Sequence, residues 1–139
     1  MQQLFEFAGN HPLLIAAAFG LIATIVVSEI RVRNRGFAEV TPAQAVQMIN
    51  AGAVVLDVRA ADAYRKGHII DARNMPLDEL DGGVQQLAKH RDKPVIAYCD
   101  SGLTSQRAAA ALRKAEFAQV ASLRGGLQAW RAENYPLAS

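Results

Sequence analysis

Between Pro12 and Ser28 the chain runs 17 residues without a charge. Wound into a helix and extended by Glu29-Ile30, this run reaches the roughly 17 to 20 residues that cross the hydrocarbon core of a bilayer. A helix apolar on every side finds nothing to bury it in a domain as small as the remaining chain can build. The run therefore divides the chain. Residues 1–11 are a short N-terminal segment, 12–30 a transmembrane helix, 31–36 a linker and 37–139 a globular domain. Pro12 suits a first helical turn, with Asn10 or His11 before it as cap. A cleaved signal peptide fits less well. The residues before the run hold Glu6 but no Lys or Arg, and no small-x-small cleavage site follows. Arg31, Arg33 and Arg35 crowd the C-terminal flank, which the positive-inside rule keeps cytoplasmic. A reducing compartment suits a free thiol.

All 15 Lys and Arg follow residue 30, against 11 of the 13 acidic residues. That modest excess has no basic patch with interleaved aromatics, so no nucleic-acid partner is expected. One cysteine excludes an internal disulfide framework and a multi-cysteine metal site. His11, His68 and His90 show no metal-ligand spacing, so no metal is expected.

After the linker, strand and helix signals alternate. Phe37 to Val40 reads as an edge strand. Thr41-Pro42-Ala43-Gln44 carries an N-cap, a proline at N1 and a capping-box glutamine. That helix stops near Asn50-Ala51-Gly52. Ala53 to Val58 is a continuous apolar run, as in a central parallel strand. A short helix over Ala60–Lys66 follows, then an irregular segment from His68 to Pro76 with room for a short strand. Leu77–Leu80 reads as a helical turn, Gly82-Gly83 as a break and Val84–His90 as helix. Pro94–Tyr98 is a second buried strand, 105–115 a helix and Val120–Leu123 a third strand. Gly125-Gly126 opens a last helix through Trp130. This order predicts an α/β fold, a parallel sheet flanked by helices.

Cys99 follows the strand ending at Tyr98 and precedes a helix. Ligands of α/β sheets bind at such carboxyl ends of strands. A tight loop of small and polar residues can aim several N–H groups at one atom, and the helix N-terminus adds partial positive charge. Both favour a thiolate.

Three segments resemble the single-domain rhodaneses, a sulfurtransferase family. The first is Leu56-Asp57-Val58-Arg59, then Tyr64-Arg65-Lys66-Gly67-His68-Ile69 and Ala72-Arg73-Asn74-Met75-Pro76. The second is the loop Cys99 to Ser105, similar to a Cys-x-x-Gly-x-x-Ser active-site loop. The third is Gly125-Gly126-Leu127-Gln128-Ala129-Trp130. With the anchor in front, the chain is similar to the small membrane-anchored rhodanese-like proteins of gram-negative bacteria. The resemblance implies a rhodanese-like domain on the cytoplasmic side of the inner membrane, held by one span.

It also implies a mechanism. Cys99 is the catalytic nucleophile, which takes sulfur from thiosulfate or a persulfide, becomes a persulfide, and passes the sulfur to cyanide or a thiol. The loop Asp100, Ser101, Gly102, Leu103, Thr104 and Ser105 would bind substrate, its N–H groups cradling the persulfide charge. No cofactor is needed. Arg59 is a further substrate-binding candidate. A strand-end pair such as Asp57 and Arg59 more often holds loops together, here through Arg59 and Asp62. Arg107 is a candidate for holding the loop or an anion, His68 for a structural hydrogen bond, and Trp130 for the core. The loop departs from the family pattern, with Leu103-Thr104 in place of an Arg before Ser105 and Asp100 after the cysteine. Both changes should weaken capture of dianionic thiosulfate.

Two other functions compete. A non-catalytic docking module would act on a membrane-protein partner, with the small residues Ala16, Gly20 and Thr24 on one helix face as its candidate contact; a generic lipid-facing helix is the competing reading of that stripe. A cysteine phosphatase would need an Arg six residues past the cysteine to clamp phosphate, where Ser105 stands.

Overall fold

The structure is a computed structural model that describes residues 10–33 and 36–139. The expected N-terminal segment, with Glu6, lies almost wholly outside the described residues, as do Asn34 and Arg35 of the expected linker. The chain divides into two compact units between Arg35 and Gly36.

In the first unit the described residues include the helix α1 (Pro12–Arg33). At 1.5 Å per residue its 22 residues span about 33 Å. Its stretch Pro12–Arg31 is long and apolar enough to cross a membrane, and none of it is buried. The Thr24 hydroxyl donates to its own helix, at the carbonyls of Gly20 (2.9 Å) and Leu21 (2.8 Å).

In the second unit five strands form a parallel sheet: β1 (Ala38–Val40), β2 (Val54–Asp57), β4 (Arg73–Asn74), β5 (Val95–Tyr98) and β6 (Val120–Leu123). Their spatial order is β1-β6-β5-β2-β4. Thus β1 is an edge strand, and β2 and β5, the two most apolar runs, lie inside the sheet. The helices are α2 (Pro42–Asn50), α3 (Ala61–Arg65), α4 (Leu77–Gly83), α5 (Leu103–Lys114) and α6 (Gly126–Ala132). The capping box forms as its residues dictate: the Gln44 N–H donates to Thr41 Oγ1 and the Thr41 N–H to Gln44 Oε1.

Each central strand feeds two cores, because successive side chains point to opposite faces. Along β5, Val95 and Ala97, followed by Cys99, join one cluster with Leu80, Ala108, Ala109, Leu112 and Phe117. Ile96 and Tyr98 join the other with Ala45, Leu127 and Trp130. Strands covered on both faces explain the unbroken apolar runs in the sequence.

Three expectations are corrected, and one strand pair is added. Gly82-Gly83 does not break the chain: α4 runs through Gly83, and Val84–His90 continues it as a 3₁₀ segment. Gly83 serves contact instead, since a Cβ there would lie 2.8 Å from Met75 Sδ. Next, α5 begins at Leu103, so Leu103, Thr104 and Ser105 form a first helical turn rather than loop. Arg59 does not pair with Asp62, which pairs with Arg65. Finally, β7 (Leu137–Ala138) closes the chain as an antiparallel partner of β3 (His68–Ile69). A two-residue strand made by tertiary pairing has no periodicity to reveal it.

Candidate active site

The strand β5 ends at Tyr98, and Cys99 begins the turn into α5. Gly102 is the N-cap, at φ +99°. That left-handed conformation suits glycine, and it brings the chain back over the sulfur. The Gly102 N–H donates to Cys99 Sγ at 3.1 Å and the Ser105 N–H at 3.4 Å. The Ser105 hydroxyl is 3.7 Å from the sulfur. It donates to the Gly102 carbonyl at 3.0 Å and lies 2.9 Å from the Ser122 hydroxyl. Ser105 and Ser122 are both buried, so this pair fixes the first turn of α5 to β6. Burial pushes the Cys99 thiol up; the bonds from Ser105, Gly102 and Ser101 outweigh it and hold the thiol below its ordinary value.

The loop is also held from outside. The N–H groups of Leu127 and Gln128 donate to the carbonyls of Cys99 (2.8 Å) and Asp100 (3.1 Å). Gly126 makes this approach possible. A Cβ there would stand 2.3 Å from the Cys99 carbonyl oxygen, a distance no side chain tolerates. The Gly125-Gly126 pair therefore serves the cysteine loop as well as the helix it opens.

The scattered first signature collapses into one knot. The Asp57 carboxylate is fully buried at the end of β2. It accepts from the Arg59 N–H (3.0 Å), Arg59 Nη2 (2.6 Å) and the Tyr98 hydroxyl (2.6 Å). Arg59 Nη2 also donates to the Gly67 carbonyl at 2.7 Å. Asn74 Nδ2 donates to the carbonyls of Asp57 (3.2 Å) and Arg59 (2.9 Å). Burial lowers the Arg59 guanidinium's affinity for its proton, and the bond to Asp57 more than restores it. Burial and the same carboxylate raise the Tyr98 phenol, which stays a donor. One arm of Arg59 is left, and Nη1 lies 3.3 Å from Asp100 Oδ1.

A cleft of about 530 Å³ opens at Cys99. Of the residues expected at the site, it brings together Cys99, Arg59, Asp100, Ser101 and Thr104. Gly102 and Ser105 lie beneath the sulfur rather than on the cleft wall. Leu103 is exposed and does not line it, and Arg107 is exposed too. His68 Nδ1–H donates to the Tyr64 carbonyl (2.9 Å) and its ring stacks on that of Tyr64, and Trp130 is buried. Ser105, in the position where a phosphatase needs its arginine, is committed to Ser122. The cleft adds Pro76, Leu77 and Asp78, which the sequence did not single out as site residues. Ser122 was missed as well; its one signal is a hydroxyl in an otherwise apolar strand.

The family model of the rhodanese-like domain matches residues 41–133. The protein YibN of Escherichia coli is 40% identical over 139 residues, covering 99% of this chain and 97% of YibN. The thiosulfate sulfurtransferase GlpE of Stutzerimonas stutzeri is 39% identical over 100 residues, 72% of this chain and 89% of GlpE. Among solved structures, a rhodanese-related protein from Thermoplasma volcanium superposes with a TM-score of 0.68 at 29% identity, covering 73% of this chain and 98% of that one. With the cysteine loop and both flanking signatures inside the matched span, the chain belongs to the rhodanese family.

Proposed function

We propose that the protein is a membrane-anchored sulfurtransferase that carries sulfane sulfur as a persulfide on Cys99. The observation that carries this reading is the cradle around Sγ, with two N–H donors and a hydroxyl converging on one sulfur. The cradle favours a thiolate as attacking nucleophile. It equally suits the anionic persulfide formed when that thiolate takes the outer sulfur of thiosulfate or of a persulfide. Cyanide or a thiol then attacks the outer sulfur of the Cys99 persulfide and regenerates the thiolate. The GlpE relatives, named as thiosulfate sulfurtransferases, support this chemistry.

In this reading α1 spans the inner membrane once and residues 37–139 face the cytoplasm. Its length and the arginine-rich C-terminal flank support that orientation. Sulfur transfer to cyanide, followed at varied donor and acceptor concentrations, should give the parallel lines of a ping-pong reaction. Cys99→Ser should abolish it. Transfer that survives Cys99→Ser would favour the non-catalytic docking module.

A further inference from the structure

We propose that the cleft takes its sulfur from an organic persulfide whose carrier bears a cationic amine near the S–S bond, and that Asp100, aided by Asp78, selects this donor over dianionic thiosulfate. This inference rests on the sulfur-carrier reading and names its donor.

Three formally charged side chains line the cleft: Arg59, Asp78 and Asp100. Arg59 is already committed. Its Nε and Nη2 engage Asp57, Nη2 also meets the Gly67 carbonyl, and Nη1 faces Asp100. The buried Asp57 cancels the guanidinium charge. An entering donor therefore meets two exposed carboxylates and, behind them, a thiolate. Thiosulfate adds two negative charges to that set; a carrier with an ammonium group brings a partner for Asp100 or Asp78. Size points the same way. About 530 Å³ lies in the range of clefts that hold organic ligands. Val58, Ala63, Pro76 and Leu77 give its wall an apolar surface against which a carbon chain can lie.

The step balances without an outside oxidant or reductant. The Cys99 thiolate attacks the terminal sulfur of R–S–SH, and a new Sγ–S bond forms as the R–S–S bond breaks. The electron pair of the broken bond leaves with R–S, which takes the persulfide proton and departs as a thiol. The negative charge stays on the Cys99 persulfide, in the cradle of N–H groups.

The test measures how fast Cys99 of the full-length protein, in detergent micelles, gains one sulfur by intact mass. Thiosulfate and cysteamine persulfide are the two probes, applied to wild type, Asp100→Asn and Asp78→Asn. Both aspartates are exposed, and the ratio of the two rates within one preparation cancels any inactive fraction. The ratio of cysteamine persulfide to thiosulfate loading should fall roughly tenfold in Asp100→Asn and less in Asp78→Asn. The fall should shrink as salt is raised. An unchanged ratio in Asp100→Asn, with both probes still loading, overturns this inference alone. A change indifferent to salt overturns its electrostatic basis. Loading of wild type by neither probe overturns the sulfur-carrier reading and this inference with it.

Discussion

At Cys99, two backbone N–H groups and Ser105 outweigh the cost of burying a thiolate. The sulfur should therefore react from lower pH than a free thiol. Its loading rate should rise with pH and level off before that of free cysteine. Ser105→Ala removes the hydroxyl near the sulfur and the link to Ser122. The rise should shift to higher pH, slowing loading at neutral pH, and the two profiles should converge where both sulfurs are fully ionised. A pH–rate profile for each protein measures this. Arg59 acts in a different way, through Asp57. Arg59→Ala leaves a fully buried carboxylate without its counter-ion and should cost about 3–5 kcal/mol in denaturant unfolding. At this scale the candidate cysteine and its place at a strand end were legible because one cysteine, a strand end and a small-residue loop are neighbours in sequence. Ser122 was not, because its contact joins residues 17 apart.

Among the elements, α6 is the second support of the site. Its first turn donates to the cysteine loop, and Gly126 lets the two backbones meet. Gly126→Ala forces a Cβ against a carbonyl at a φ of +57°. It should cost at least about 2 kcal/mol in stability and lower loading of Cys99 even in the folded fraction. Thermal unfolding and intact-mass loading check the two effects separately. The helix at 42–50 was legible because its capping box is local chemistry. Gly83 was misread because a glycine that breaks a helix and one that admits a neighbour look alike in sequence. Here Met75 occupies the space a side chain would need. The early start of α5 escaped for a related reason: its N-cap is Gly102, which carries no side-chain capping signal.

For the molecule as a whole, the two units suggest a division of labour. One is a helix of membrane-spanning length, the other an α/β domain with its cleft at the carboxyl ends of β2 and β5. The parallel sheet was readable from the order of apolar runs, since only strands buried on both faces carry them unbroken. A fusion reporter at Ser139 should be active only as a cytoplasmic reporter, and the protein should stay with membranes washed at high pH. A periplasmic signal would reverse the orientation.

The most direct measurement is the intact mass of the full-length protein after exposure to a persulfide donor, with Cys99→Ser beside it. A gain of one sulfur atom on the wild type, absent from the variant and removed by cyanide, is the predicted result. A wild type whose mass does not change, or a variant that gains the same sulfur, would contradict the assignment of Cys99 as the sulfur carrier.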